Sequence, residues 1–305
     1  MIRGLGRLHL PGVGPLAAVI EESTVRPLPG RSLADLLSAA EDAGALRAGI
    51  DRAAAESAAP IPMEELAPAP DPDRPHLLAP VDRQECWGAG CTYLQNDEAL
   101  GRMRADRPLY ADTYEADRPM LFFKGVASVV SGPGAPICCR PGSAQTIPEA
   151  ELTVLLGPTG VVLGFTLGND VTALDLERRN PLYQPQAKVF AGSAALGPWW
   201  ILADAVPDIP NRTLSCEVTR GGRRVLEQRI DPSRLVRRLD ELSGWLFEAA
   251  DFPAGVVLMT GGGAAVPEGF ALEPGDEVLI AHPNLGVLHN PVDRPRRPSH
   301  LPGRG

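Results

Sequence analysis

Histidine, aromatic residues and basic charge are all scarce in this chain of 305 residues. Aromatic residues make up 5%, whereas glycine and proline number 32 each, a balance that favours short strands and turns over long helices. A formal net charge of −9 argues against a nucleic-acid surface. The stretch between Pro80 and Ala281 contains no histidine, because the five in the chain are His9, His76, His282, His289 and His300.

Long apolar runs and paired cysteines are also missing. No apolar run approaches the roughly 18 residues of a membrane span, and no early segment has the pattern of a signal peptide. We therefore expect no membrane contact and a cytoplasmic location. The cysteine count is odd and no CxxC pair occurs, which predicts reduced, structural thiols at Cys86, Cys91, Cys138, Cys139 and Cys216.

Composition and residue pattern divide the chain into three regions. Residues 1–79 predict a small N-terminal α+β domain, with a hairpin in the first 30 residues, a helix capped by Ser32, a second helix over 46–56 and a proline-rich linker. Residues 80–293 predict short strands, with one helix over 234–249. Residues 294–305 are basic and proline-rich, which predicts a disordered tail. The predicted fold class is mainly β with some α.

The segment TIPEAELTVLLGPTGVVLGFTLGNDV (146–171) predicts a strand, a tight turn and a second strand. Residues two apart on a strand share a face, so Glu149 and Glu151 point the same way. A turn centred between Pro158 and Thr159 places Asp170 opposite Ile147, near Glu149. Three converging carboxylates suit Mg²⁺, Mn²⁺ or Ca²⁺ better than Zn²⁺. A solvated strand face is the alternative interpretation.

The segment NPLYQPQAKVFAGSAALGPW (180–199) follows. We expect an irregular loop, a short strand that carries Lys188, and a turn at ALGP. A lysine beside the carboxylates would hold a substrate oxygen or transfer a proton. An ordinary exposed lysine is the alternative.

Several motifs occur together in one order: WGAGCTY, RPMLFFKGVASVVSGPGAPI, TIPEAEL, GNDVTALDLE and NPLYQPQAK. This combination resembles the fumarylacetoacetate hydrolase superfamily over residues 80–293. Within it, NPLYxPQAK and WGxGxTY look most like the 2-keto-3-deoxy-D-arabinonate dehydratases. The resemblance implies a β-roll of mixed sheets, a homodimer or a dimer of dimers, and a small 2-oxo acid substrate that chelates Mg²⁺.

The resemblance also implies a site. The metal ligands fall on Glu149, Glu151 and Asp170. Lys188 and Glu177 become the catalytic candidates. The substrate-binding candidates are Tyr93, Arg118, Lys124, Thr260 and Gly261. Three positions depart from the family pattern, namely Gly262 in place of a threonine, Leu174 in place of an arginine and Gln145 in place of a tryptophan.

Hydrolytic members of this superfamily activate water with a His–Glu pair on a mobile lid. In the corresponding lid, about Tyr93 to Arg118, candidates for contacting substrate hydroxyls are Tyr93, Glu98, Glu115 and Arg118, with ordinary surface residues as the alternative interpretation. The lid contains no histidine. We therefore expect a Mg²⁺-dependent lyase that dehydrates a 2-keto-3-deoxy sugar acid. The alternatives are an acylpyruvate or fumarylacetoacetate-type hydrolase, an oxaloacetate decarboxylase, and a divergent member that serves a specialised biosynthetic pathway or only binds a small acid.

Overall fold

The computed structural model describes residues 4–94, 97–206 and 208–295, without the side chains of residues 97 and 98. Of the predicted disordered tail, residues 296–305 lie outside this description. The first eighty residues form these elements, in chain order: β1 (Gly4–Leu10), β2 (Gly14–Ile20), β3 (Thr24–Leu28), α1 (Leu33–Leu37), α2 (Ala43–Ala55), β4 (Ile61–Pro62) and β5 (His76–Leu78).

The remainder begins with β6 (Glu85–Gly90) and two lid helices, α3 (Asp97–Asp106) and α4 (Pro108–Glu115). Then follow β7 (Met120–Val126), β8 (Val130–Ser131), β9 (Ile137–Cys138), β10 (Thr146–Ile147), β11 (Ala150–Leu156), β12 (Val162–Asp170), β13 (Thr172–Ala173), α5 (Leu174–Arg179), α6 (Gln184–Lys188) and β14 (Ala194–Leu202). The last elements are β15 (Leu214–Arg220), β16 (Arg223–Ile230), α7 (Leu239–Phe247), β17 (Val256–Met259), β18 (Glu277–His282) and β19 (Gly286–Asp293).

Two large sheets organise these strands. The larger runs in the order β4-β3-β2-β1-β14-β12-β11-β17-β6-β7, and β5 and β8 pair with its inner strands. The smaller runs in the order β16-β15-β18-β19-β9. Both parallel and antiparallel pairs occur, for example β17 with β6 and β11 with β12. The predicted β-rich fold of mixed sheets is confirmed.

The N-terminal predictions hold in detail. Strands β1 and β2 form the expected hairpin, in which Gly4 pairs with Ile20. Ser32 caps α1 by accepting from the backbone N–H of Asp35, and the Asp35 carboxylate accepts from the backbone N–H of Ser32. This reciprocal capping satisfies two backbone donors at the helix start. The predicted second helix is α2, which begins three residues earlier than expected.

Two later predictions are wrong or only partly right. The ALGP segment, expected as a turn, lies inside β14, where a cis peptide bond joins Gly197 to Pro198. The helix expected over 234–249 is limited to α7, because a 3-10 turn at Pro232–Arg234 and an extended Leu235 come first. Among the described helices, none has the length and apolar character that a bilayer crossing requires.

The five cysteines are free thiols. Burial raises the pKa of Cys86 to about 12 and that of Cys91 to about 11. Thiols with such values are inert near neutral pH, because the thiolate is the nucleophile. This agrees with the predicted structural role.

The N-terminal segment and the rest of the chain share one sheet and one apolar cluster. Strand β1 pairs with β14, with Leu5 opposite Trp200. Leu33 of α1 is fully buried in a cluster that also contains Leu163 and Trp200. The domain boundary expected near residue 80 stays a prediction. The shared cluster implies that both segments unfold together.

We predict that Leu33→Ala lowers the free energy of unfolding by about 2–5 kcal/mol, because the cavity lies in this shared cluster. Urea unfolding followed by tryptophan fluorescence is the measurement, since all four tryptophans lie after residue 80. Val13→Ala is the control, because Val13 is 68% exposed. A fluorescence midpoint that Leu33→Ala leaves unchanged would show that residues 1–79 fold as an independent unit.

Candidate active site

Strands β11 and β12 bring the predicted carboxylates together. Ala150 pairs with Asn169, and the backbone N–H of Asp170 donates to the carbonyl of Glu149 at 2.8 Å. Asp170 therefore lies opposite Glu149, and the predicted pairing of Asp170 with Ile147 is wrong.

The predicted register fails because of the turn. The turn closes with a hydrogen bond from the Gly157 N–H to the Val161 carbonyl, and the pairing is irregular beside Leu156. Each feature moves the register by one residue. Ile147 consequently pairs with Thr172.

Asp170 is the buried centre of the site, with 1% of its surface exposed. Its Oδ1 lies 2.5 Å from the Nζ of Lys124, and its Oδ2 accepts from the Nζ of Lys188 at 3.0 Å. Burial raises the pKa of Asp170, but the charges of Lys124 and Lys188 outweigh it and hold that pKa below its usual value. Asp170 is therefore ionised.

Lys188 lies at the end of α6, so the predicted strand at this position is wrong. Its ammonium donates to Glu149 Oε2 at 2.7 Å and to the Thr172 hydroxyl at 2.7 Å, in addition to Asp170. Burial lowers the pKa of Lys188, but the charges of Asp170 and Glu149 raise it well above its ordinary value. Lys188 is a buried part of the site, so the alternative of an exposed lysine is excluded.

Lys124, a substrate-binding candidate, is completely buried on β7. Besides Asp170, its ammonium donates to the carbonyls of Val171 at 3.0 Å and Lys188 at 2.5 Å. Burial lowers its pKa despite the charge of Asp170. These contacts make Lys124 an anchor that ties β7 to β12 and α6.

Glu151 is buried beside these groups but has a different environment. Its Oε2 accepts from the backbone N–H of Gly261 at 2.7 Å. Burial, followed by the charges of Asp170 and Glu149, raises the pKa of Glu151 well above its usual value. Unlike Asp170, Glu151 has repulsive carboxylates as its main charged neighbours.

Position 261 accepts only glycine, because a side chain there would be strained and would clash. Its φ is +110°, and a Cβ there would lie 2.0 Å from the hydroxyl oxygen of Thr92. The adjacent Thr260 is buried, and its hydroxyl donates to the carbonyl of Leu152 at 2.7 Å. Both candidates therefore shape the wall behind Glu151. The Thr260 hydroxyl is already engaged with the backbone.

Glu177 lies on α5 with its Oε1 4.0 Å from the Nζ of Lys188. Its Oε2 accepts from the guanidinium of Arg107 at 3.3 Å, and Arg107 stacks 3.6 Å above the ring centroid of Tyr110. Burial and the charge of Glu177 raise the pKa of Tyr110 to about 12. Sequence reasoning missed both lid residues, since only a contact across 70 positions identifies Arg107.

The described side chains of the other lid candidates lie in separate parts of the structure. Tyr93 is buried near Glu151, and burial and that charge raise its pKa. Arg118 is mostly exposed and stacks on Trp245 at 4.2 Å, beside Glu248. Glu115 pairs with Arg104 on the lid surface. The side chain of Glu98 lies outside the described residues.

Arg107, Tyr110 and Glu177 line a cavity of about 150 Å³ under the lid. A neighbouring cavity of about 180 Å³ shares the wall formed by Leu109, Tyr110 and Pro181. The predicted lid segment is therefore a pair of helices that covers space next to Glu177.

The carboxylates are not arranged as a complete metal-binding site. Across the described ranges, no three His, Cys, Asp or Glu side chains are placed to hold a metal ion as they stand. The ammonium of Lys188 binds both Glu149 and Asp170. The donor set nevertheless fits a hard dication, because it consists of carboxylate oxygens and places Glu151 beside the like charges of Asp170 and Glu149. The predicted ligand set stays a prediction.

Comparison with known proteins matches this fold and site to one family. The family model described as fumarylacetoacetate (FAA) hydrolase C-terminal matches residues 85–293, which include the carboxylates, both lysines and Glu177. The chain belongs to this family. The resemblance expected from the motifs is thereby confirmed.

Two curated FAA hydrolase family relatives carry dehydratase names. A probable 2-keto-3-deoxyxylonate dehydratase of Haloferax volcanii is 35% identical over 265 residues, covering 86% of this chain and 88% of the relative. A 2-dehydro-3-deoxy-D-arabinonate dehydratase of Saccharolobus solfataricus is 32% identical over 225 residues, covering 72% and 76%.

A solved structure extends this similarity to three dimensions. It is a 2-keto-3-deoxy-D-arabinonate dehydratase complexed with magnesium and 2,5-dioxopentanoate. The TM-score is 0.79 at 27% identity, over 96% of this chain and 99% of that one.

We predict that Arg107→Met loosens the lid, because Glu177 loses its cation and Tyr110 loses the stacked guanidinium. Amide hydrogen exchange in α3 and α4 should accelerate roughly tenfold. Arg104→Met is the matched control, since its ion pair with Glu115 lies within the lid and is exposed. We expect it to change exchange by no more than about twofold. Equal effects of the two substitutions would contradict a specific role for Arg107.

Proposed function

We propose that this protein is a Mg²⁺-dependent hydro-lyase that removes water from a 2-keto-3-deoxy sugar acid. One observation carries the proposal. Lys188 and Glu177, two groups able to move protons, lie 4.0 Å apart at the edge of a buried carboxylate cluster. The dehydratase names of relatives that cover most of the chain support the same reaction.

Glu149, Glu151 and Asp170 are the residues that would hold the metal. When bound, Mg²⁺ supplies a Lewis acid that increases the acidity of the carbon next to a chelated 2-oxo group. The solved dehydratase relative is complexed with magnesium, which supports this choice. Mn²⁺ and Ca²⁺ also accept such oxygen ligands.

The groups that can accept and donate protons at this site suit an elimination reaction. In our proposal Glu177 accepts the C3 proton, and the ammonium of Lys188 gives a proton to the departing C4 hydroxyl. The products are one water and a 2-oxo acid with a C3–C4 double bond. Moving a proton from C5 to C3 turns this acid into a C4–C5 enol, which tautomerises to the 2,5-dioxo acid. Arg107 holds Glu177 in place from the lid, and the neighbouring cavity under the lid has largely apolar walls.

Hydrolysis of a carbon–carbon bond fits less well, because it needs a base for water. The histidines that the structure describes lie elsewhere. His9 and His76 stack on each other at the β1–β5 pair, and His282 and His289 lie in the smaller sheet. His300 lies outside the described residues.

We also propose a location, an assembly and a division of the chain. Five free thiols support a reducing cytoplasm. Half-exposed Leu279 and Val287 on the smaller sheet support a homodimer or dimer of dimers. Residues 80–293, which the family model nearly spans, would form the catalytic unit, and residues 1–79 would buttress its sheet.

We predict that Glu151→Gln weakens Mg²⁺ binding by at least about tenfold, because it removes a charged ligand from the proposed site. The fold should persist, since a glutamine oxygen still accepts from the Gly261 N–H. Isothermal calorimetry with Mg²⁺ measures the affinity. The exposed Glu268→Gln serves as the control. Unchanged Mg²⁺ affinity in Glu151→Gln would remove Glu151 from the ligand set.

We predict that the protein with Mg²⁺ converts 2-keto-3-deoxy-pentonate into a product lighter by one water. Mass spectrometry of the products identifies the reaction. Lys188→Ala should reduce turnover on the order of 10²-fold or more, because a proton donor is lost. An acylpyruvate assay is run in parallel. Its cleavage into pyruvate and an acid, without water loss from the sugar acid, would establish hydrolysis and refute the proposal.

A further inference from the structure

Gln184 and Lys188 stand at the two ends of the short helix α6. Residues four apart on an α-helix share a face, about 6 Å apart along the axis. Lys188 uses that face to reach Glu149 and Asp170. Gln184 therefore lies one helical turn from Lys188, on the same side of the helix.

The side chain of Gln184 lines the 180 Å³ cavity beneath the lid. Leu109, Met120 and Pro181 give this cavity largely apolar walls. The hydroxyl of Thr113, also in the wall, donates to the carbonyl of Leu109 at 2.7 Å. The cavity adjoins the smaller one that Glu177 lines, so a ligand held near Glu177 has room to extend toward Gln184.

The amide nitrogen of Gln184 is buried and finds no hydrogen-bond partner in the part of the chain that the structure describes. A buried donor without an acceptor is costly, because the hydrogen bond that it loses to water is not replaced. Such groups in folded proteins call for an explanation, of which a ligand is one. Here the donor lines a largely apolar cavity, so an oxygen atom of a bound ligand is the acceptor that fits.

We infer that Gln184 determines specificity by donating a hydrogen bond to an oxygen on the C5 carbon of the 2-oxo acid. This inference rests on the proposed function, which places the 2-oxo end at the carboxylates. In an extended five-carbon acid, C5 lies roughly 4 Å from C2. A hydrogen bond of about 3 Å then covers the remaining distance to a donor one helical turn from Lys188.

The test compares two acids that differ at C5 and cannot be dehydrated, because neither has a C4 hydroxyl. They are 2,5-dioxopentanoate and 2-oxopentanoate, titrated calorimetrically in the presence of Mg²⁺. The parent protein should bind the C5-oxygenated acid about tenfold more tightly. Gln184→Leu should reduce this preference to within about twofold, because its side chain has no donor.

Two further variants sharpen the experiment. Gln184→Glu keeps the shape of the side chain but removes the N–H donor, and it should lose the preference too. Gln186→Leu is the matched control, because Gln186 lies on the same helix and is exposed. It should keep the preference of the parent protein. Circular dichroism establishes that each variant is folded.

The outcomes separate this inference from the proposed function. Binding of both acids with the same preference in Gln184→Leu as in the parent would overturn the role of Gln184 and leave the 2-oxo acid site intact. Equal affinity of the parent for both acids would overturn it as well. Failure of the parent to bind either acid would overturn both proposals.

Discussion

A buried charge triad, Asp170 between Lys124 and Lys188, is the constraint on which the rest of the site depends. Each partner comes from a different element, namely β12, β7 and α6. Buried charges are tolerated only when they are paired and hydrogen-bonded, and removing one partner exposes the others to a large desolvation cost. The three elements can therefore hold no other relative position without a large electrostatic cost.

The triad also makes two neighbouring carboxylates chemically unequal. Asp170 has both its oxygens matched by ammonium groups, whereas Glu151 receives a backbone N–H from Gly261 and otherwise meets like charge. The protein thus stabilises Asp170 with its own cations, whereas the hydrogen bond to Glu151 comes from the main chain. Carboxylates with such strongly perturbed pKa values cluster at functional sites.

Sequence periodicity predicted the faces of the strands better than their register. The predicted and observed pairings of Asp170 differ by two residues, from Ile147 to Glu149. A shift of two leaves every side chain on the same face, so the convergence of Glu149, Glu151 and Asp170 on one side of the sheet survived the error. The turn geometry that caused the shift depends on a local irregularity that no residue pattern indicates.

The local residue pattern predicts neither the helix that carries Lys188 nor the contact that Arg107 makes. The apolar residues after Lys188 suggested a strand, but the preceding Gln184-Pro185 segment starts a single helical turn. Short segments of this kind are decided by tertiary contacts and not by propensity. Arg107 meets Glu177 only because the lid folds back over α5, and charge on a polar lid looks like surface decoration in one dimension.

The backbone carbonyl of Lys188 accepts from Lys124, so the end of α6 is fixed to the buried triad whatever the Lys188 side chain does. Helical geometry then holds Gln184 at a constant depth below the lid. Any movement of α6 would therefore carry the Lys188 ammonium and the Gln184 amide together, so the main chain of the helix sets the spacing between these two groups.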